Sequence, residues 1–316
     1  MTTALALELA LAAVVLGVAV WTIAARETFA ALVGFVAYGL LLALVWVRLD
    51  AVDVALTEAA ISGGLGGVLL LGAAARLRTT EQLAAAERPG VILRLEVAVL
   101  SATVAAALAA AVLFLPDPAP TLAPAAAANA AATGLGNPVT SVLMAYRAMD
   151  TMLEKVVLLL SLVGVWSLAP DRAWGGRPGP APTEDPNSIL GYLARVLPPI
   201  GIVVGVYILW VGADLPGGKF QGATVLAAMW LLVMMAGISD APAVDRTWVR
   251  LALAGGPAVF IAIGLLGAGV AGAFLGYPEG LAKPLIVVVE AALLPSLAVT
   301  LALLLTGPPR RKDGDT

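Results

Sequence analysis

The stretch TFAALVGFVAYGLLLALVWVR (28–48) decides the fold. Between Thr28 and Arg48 it holds no charged side chain. As a helix it reaches about 30 Å, the thickness of a hydrocarbon core. An open strand of this composition would leave its backbone amides unpaired in lipid, so the stretch must be a transmembrane helix. Working outward, comparable apolar runs occupy 4–24, 52–75, 92–115, 148–168, 189–211, 221–238, 249–274 and 284–306. None shows the period-two alternation of a barrel strand. The expected fold class is all-α, a polytopic membrane helical bundle of about nine transmembrane helices. The leading run, Leu5 to Ala25, has no Lys or Arg before it and exceeds the core of a signal peptide, so it is read as a retained span.

Composition supports the same conclusion. Of 316 residues, 61% are hydrophobic and 12% charged, and the mean hydropathy is +0.98. Soluble domains carry about a quarter charged residues, so much of the material for a water-facing surface is missing. A net charge of −3, with no basic cluster interleaved with aromatics, excludes a nucleic-acid partner. The chain has no Cys and no His. Disulfides, iron–sulfur clusters, thiolate metal sites and imidazole-ligated haem are therefore ruled out. No cofactor or metal is expected, nor enzymatic chemistry, and any redox group would sit on another chain. Protons crossing this protein have only Asp, Glu, Lys, Arg, Tyr and water to use.

Lys and Arg collect in alternate connections, which sets orientation. Arg76, Arg78, Arg88 and Arg94 follow the third run; Arg172 and Arg177, with Arg195 beyond, follow the fifth. Arg246 and Arg250 follow the seventh, and Arg310, Arg311 and Lys312 follow the ninth. The intervening connections hold only Arg48, then no cation between Leu115 and Asn137, then Lys219, then Lys283. This pattern puts the N-terminus outside and the C-terminus in the cytoplasm of a multi-pass inner-membrane protein. Polar linkers at 76–90 and 170–188, the second rich in Pro and Gly, divide the chain. The expected modules are 1–80 with three spans, 91–170 with two and an outer loop, and 189–307 with four.

Ionisable residues inside a span cost a few kcal/mol or more and need a reason. Glu8, Arg48, Asp50 and Glu96 lie near span ends and read as interfacial anchors that snorkel to water. Glu58 lies about 12 Å deeper than Asp50 along a helix. Asp50, Asp53 and Thr57 share its polar face, and Gly63, Gly64, Gly66 and Gly67 follow to admit a close neighbour. In AYRAMDTMLEKVVLLL (145–160), Arg147, Asp150 and Glu154 fall on one helix face while Lys155 points about 100° away. Glu290 stands about 10 Å in from Lys283, and Pro295 frees a carbonyl nearby. Each of these has two readings, an ion or proton site or a structural carboxyl packed between helices. The loop ADLPGGKFQGATV (213–225) reads from composition as a Pro-Gly turn on the outer side.

At these residues the chain resembles accessory membrane subunits of the multisubunit Mrp-type Na⁺/H⁺ antiporters and the related membrane-bound hydrogenases. DAVDVALTEAAISGG (50–64) resembles the three-span module in the C-terminal region of the Mrp A subunit, and NPVTSVLMAYRAMDTMLEKVVLL (137–159) the two-span module after it. PPIGIVVGVYILWVGADLPGGKFQGATVLAAMWLL (198–232) resembles the four-span Mrp B subunit with its Pro-Gly-Gly-Gly-Phe-Gln-Gly loop. Here Lys219 replaces the third Gly, Asp214 stands where the family carries a His, and Ala145 precedes Tyr146 where an acidic residue is frequent nearby.

The resemblance implies an accessory subunit that carries part of a Na⁺ or H⁺ path through Asp53, Glu58, Arg147, Asp150, Glu154 and Glu290. Glu58, Asp150 and Glu154 would be the relay, with Asp53 and Arg147 tuning it. Implied partners are large antiporter-like subunits, a small Mrp C-like subunit and the lipid bilayer. No Lys is expected near the centre of a span, so the chain should not be a complete antiporter, and some of its acids should find partners on adjacent chains. The alternative is a structural anchor or adaptor that moves no ions.

Overall fold

The computed structural model describes residues 3–86, 90–179 and 188–310. Arg88, Arg311, Lys312 and residues 180–187 of the second linker lie outside the described residues. The elements are α1 (Thr3–Ala24), α2 (Thr28–Arg48), α3 (Val52–Glu58), α4 (Gly67–Ala86), α5 (Val91–Leu113), α6 (Ala123–Asn129), α7 (Pro138–Ser141), α8 (Ala148–Trp166), α9 (Ile189–Val211), α10 (Lys219–Met235), α11 (Thr247–Val270) and α12 (Ala282–Thr306). A π-helical segment, Ala59–Gly66, joins α3 to α4, and a second, Val142–Tyr146, lies between α7 and α8. The only strands among the described residues are β1 (Arg177–Pro178) and β2 (Pro309–Arg310), an antiparallel pair. The protein is a polytopic helical membrane bundle.

Among the described residues, seven stretches are long and apolar enough to cross a membrane: Leu5–Ala24, Thr28–Arg48, Val52–Leu77, Val91–Leu113, Ile189–Val211, Thr247–Val270 and Ala282–Thr306. The other two expected spans are helical but differ in kind. α8 carries Asp150, Glu154 and Lys155, and α10 has only 17 residues. α10 lies against α9 and α12, so neighbouring helices surround much of it.

α12 is the most enclosed of the seven, with 67% of its central window buried. Met144 and Phe260 pack with Ile286, Val289 and Leu293 of its first half. Leu162, Trp166, Val249 and Leu253 pack with Leu303 of its second. Small residues bring the backbones together there. A Cβ at Gly222 of α10 would stand 2.5 Å from the Gly205 carbonyl of α9. In the first module, Leu40 and Val36 of α2 occupy the space that a Cβ at Gly63 or Gly67 would fill. α5 differs from all of these. None of its residues is buried, so its apolar surface faces lipid or another chain.

The connections gather at two ends, as alternating spans require. The starts of α3, α10 and α12 meet the segments 133–137 and 212–218 at one end. At the other, the Gly176 carbonyl accepts from the Val244 N–H at 3.1 Å, β1 pairs with β2, and Arg177 pairs with Asp240.

Candidate functional site

A polar node forms at the first of these ends, centred on Asp53 in the first turn of α3. Its side chain is buried, with 8% of the residue exposed. Oδ1 accepts from the Gly217 N–H at 2.9 Å and from Asn137 Nδ2 at 3.3 Å, and Oδ2 accepts from Asn137 Nδ2 at 3.4 Å. Asn137 is the N-cap of α7. Its Oδ1 accepts from the Val139 and Thr140 N–H groups, while Nδ2 also donates to the Leu215 carbonyl at 2.9 Å. Thr140 Oγ1 donates to the Gly212 carbonyl at 2.7 Å. Gln221 Nε2 reaches Thr57 Oγ1 at 3.0 Å and the Asp53 carbonyl at 3.4 Å. One carboxylate thus ties together segments from all three expected modules.

The Pro-Gly loop does more than turn the chain. Gly217 and Gly218 have φ of +152° and +136°, where L side chains are strained. A Cβ at Gly217 would also stand 2.5 Å from the Ile208 carbonyl. The two glycines let the backbone present an N–H to a buried carboxylate.

Beside this node, Lys219 opens α10 and turns its buried side chain towards α12. Its Nζ lies 3.6 Å from Glu290 Oε1 and 3.4 Å from the Met144 sulfur. Both members of the pair are enclosed, at 8% and 3% exposure. Glu290 therefore finds its cation within this chain and is not one of the acids that need a partner on an adjacent chain. Tyr277 donates to the Met144 carbonyl at 2.8 Å. Burial pushes its phenol up to about 12, and the Glu290 charge adds to the effect.

At the surface, Lys283 Nζ lies 2.6 and 2.8 Å from the two Asp214 oxygens. This hydrogen bonding, chiefly, holds the Asp214 carboxyl below its ordinary value of 3.8, and the Gly136 N–H assists. A depressed carboxyl contributes stability that is fully present above its unfolded value and is lost as the pH falls through the folded one. The pair is therefore intact at neutral pH.

The remaining sequence candidates lie elsewhere. Glu58 is partly buried and accepts from the Ser62 hydroxyl one turn on, where the π segment begins. Arg147 Nε pairs with Asp150 Oδ2 at 2.5 Å, and both side chains are more than half exposed. Glu154 faces outward and has no ion-pair partner among the described residues. No hydrogen bond or ion pair in the described residues joins these four to the Asp53 node.

Against the expected absence of a lysine near the centre of a span, Lys155 of α8 is enclosed against the second half of α12, 3% exposed, with Nζ donating to the Ser296 carbonyl at 3.1 Å and Thr300 Oγ1 at 2.7 Å. A span beginning at 148 would place Lys155 near its mouth. Helical structure in fact begins at Pro138 and runs, with a break at Arg147, to Trp166. That places Lys155 well inside. The 100° offset from Glu154 then turns it into the bundle while Glu154 faces out. Asn137 carried a legible signal, since Asn-Pro is a helix-start signature. The partners of Gln221 and Lys219 carried none, because they are distant in sequence.

Two families match this chain. Residues 13–79 match the MbhD family, one of the subunits of MBH. Residues 189–307 match the domain related to the MnhB subunit of Na⁺/H⁺ antiporter. Among solved structures, the chain is similar to one in the Mrp complex from Dietzia sp. DQ12-45-1b, with a TM-score of 0.71 and 25% identity. That match covers 96% of this chain and 35% of the other, so the chain spans about a third of the Mrp chain. It shares its fold with a chain of the membrane-bound sulfane sulfur reductase, an archaeal respiratory membrane complex, at a TM-score of 0.55 and 24% identity. That match covers 67% of this chain and 96% of the other. A search of curated proteins gives no match. With the MbhD match in its first third and the MnhB-related match in its last, the chain is a multi-pass membrane subunit of the Mrp/MBH type.

Proposed function

We infer that this subunit carries part of a Na⁺ or H⁺ path through intramembrane carboxylates, inside an antiporter-like assembly. The observation that carries this reading is the outward face of α8. There, Arg147, Asp150 and Glu154 are exposed at the start of a helix that carries no charge from Val156 to Trp166. Charges on the outer face of a span require water or a partner chain. Large antiporter-like subunits and a small Mrp C-like subunit are the partners that fit, and α5 gives them an unoccupied apolar face. Glu58, beside a π segment of the kind that recurs at functional sites, serves as a second relay. Asp53 tunes it from the node, and Glu290 is a further station. The modules are 1–80, 91–170 and 189–307, and the two family matches lie in the first and third.

Gln keeps the volume and hydrogen-bonding capacity of Glu but cannot ionise. Glu58→Gln and Glu154→Gln should leave the complex assembled, by co-purification, while cutting Na⁺/H⁺ exchange in vesicles about a hundredfold. Full exchange in both variants would mean that the chain is an adaptor. The saturated hydrogen bonding of Asp53 is the one feature that favours that second reading.

Orientation follows from the arginine distribution. A tag placed within 120–130 should be labelled from outside the cell, and a reporter fused after Arg311 should read cytoplasmic. The reverse pattern would invert the topology.

A further inference from the structure

Every lysine in the described residues reaches α12. Lys283 stands on it and pairs with Asp214 at its outer end. Lys219 arrives from α10 to meet Glu290. Lys155 arrives from α8 to meet Ser296 and Thr300. Along the helix axis the second station lies about 10 Å below the first, and the third about 9–15 Å below the second. The three form a descending series from the outer end past the middle of the most enclosed helix.

The deepest station is the least compensated. Lys155 has no carboxylate within ion-pair distance among the described residues. The elements around it supply none. Residues 220–235 of α10 and 251–270 of α11 hold no ionisable side chain. α12 offers only Lys283 and Glu290, the latter already beside Lys219. Asp150 and Glu154, on its own helix, face outward. An amine hydrogen-bonded only to neutral oxygens, with a negative charge acting on it only from the outward-facing Glu154, makes a poor static charge inside a membrane and a serviceable proton carrier.

A second, independent observation lies beyond it. Trp166 Nε1 is buried with no hydrogen-bond partner among the described residues. It sits eleven positions further along α8, about 16 Å towards the opposite end, packed with Leu162, Val249, Leu253 and Leu303 at the α11–α12 seam. A buried indole N–H without a protein partner calls for a water.

We propose that α12 is the spine of a proton route separate from the outward carboxylates of α8. Protons enter at Asp214–Lys283, pass Lys219–Glu290, load Lys155, and leave through water past Trp166. Each station takes up one proton and releases one, so no redox partner is involved. The route rests on the reading that this chain conducts ions.

The test uses the assembled complex in membrane vesicles. Lys155→Gln keeps a donor for Ser296 and Thr300 but cannot carry the proton as an ammonium. Lys155→Arg keeps the charge and does not give up its proton. Both should co-purify with their partners while Na⁺/H⁺ exchange falls about a hundredfold. Thr300→Val, which removes no titratable group, should shift the pH at which exchange is half-maximal by weakening a hydrogen bond to Nζ. A merely structural Lys155 would leave that pH unmoved. Full exchange in Lys155→Gln, or recovery in Lys155→Arg, would overturn the route. If the Arg variant does not assemble, the Gln variant and the Thr300→Val profile decide. A wild-type assembly without exchange defeats the underlying reading and the route together. Loss in Glu154→Gln with full exchange in Lys155→Gln removes the route alone.

Discussion

Glu290→Ala is expected to destabilise the folded chain by about 3–5 kcal/mol, because it strands the Lys219 ammonium inside the bundle. Lys219 Nζ has only the Met144 sulfur as its other partner, and a thioether is a weak acceptor. The effect should therefore depend on the companion residue. Lys219→Met combined with Glu290→Gln removes both charges at similar volume, and it should recover most of the loss. A double-mutant cycle separates the pair from its surroundings. The measurement is denaturant or thermal unfolding of the purified complex, followed by the loss of this chain from it. A single variant within about 0.5 kcal/mol of wild type, the level of an ordinary surface change, would show that the two groups do not depend on each other.

Asp53→Ala should be the next most damaging change, at about 1–3 kcal/mol, the cost of one buried donor left unsatisfied. The Gly217 N–H loses its acceptor outright, while Asn137 Nδ2 keeps the Leu215 carbonyl. The damage should spread between modules, because Asp53 lies in α3 while its donors belong to the α7 cap and the Pro-Gly loop. Limited proteolysis of the loop 212–218 should speed up in the variant. Asp53→Asn keeps one acceptor oxygen and should be milder. If Asp53→Ala leaves the loop as resistant as in wild type, the carboxylate does not hold the modules together.

The helices were legible because their cause is local. A run such as 28–48 has no alternative in lipid, and the runs at 189–211 and 284–306 coincide with α9 and α12 to within two residues. The shared face of Asp53 and Thr57 was legible from helical spacing, whereas Asp50 falls before α3 with φ of +58° and does not belong to it. The divergence of Glu154 and Lys155 on α8 was legible too. What the spacing could not say was which of those two faces the core. That depends on which neighbour packs on α8, and the neighbour is α12, more than 100 residues later in the chain.

The sequence by itself determined the class of solvent, the helical state and the identity of the charged groups that must be accounted for. Tertiary structure alone decided their partners. Asp53 meets Gly217, Glu290 meets Lys219, and Lys155 meets Thr300, across separations of 164, 71 and 145 residues. Hydrophobic periodicity is a property of one helix. The partner of a buried charge is fixed only when two helices pack and exclude every other route to compensation.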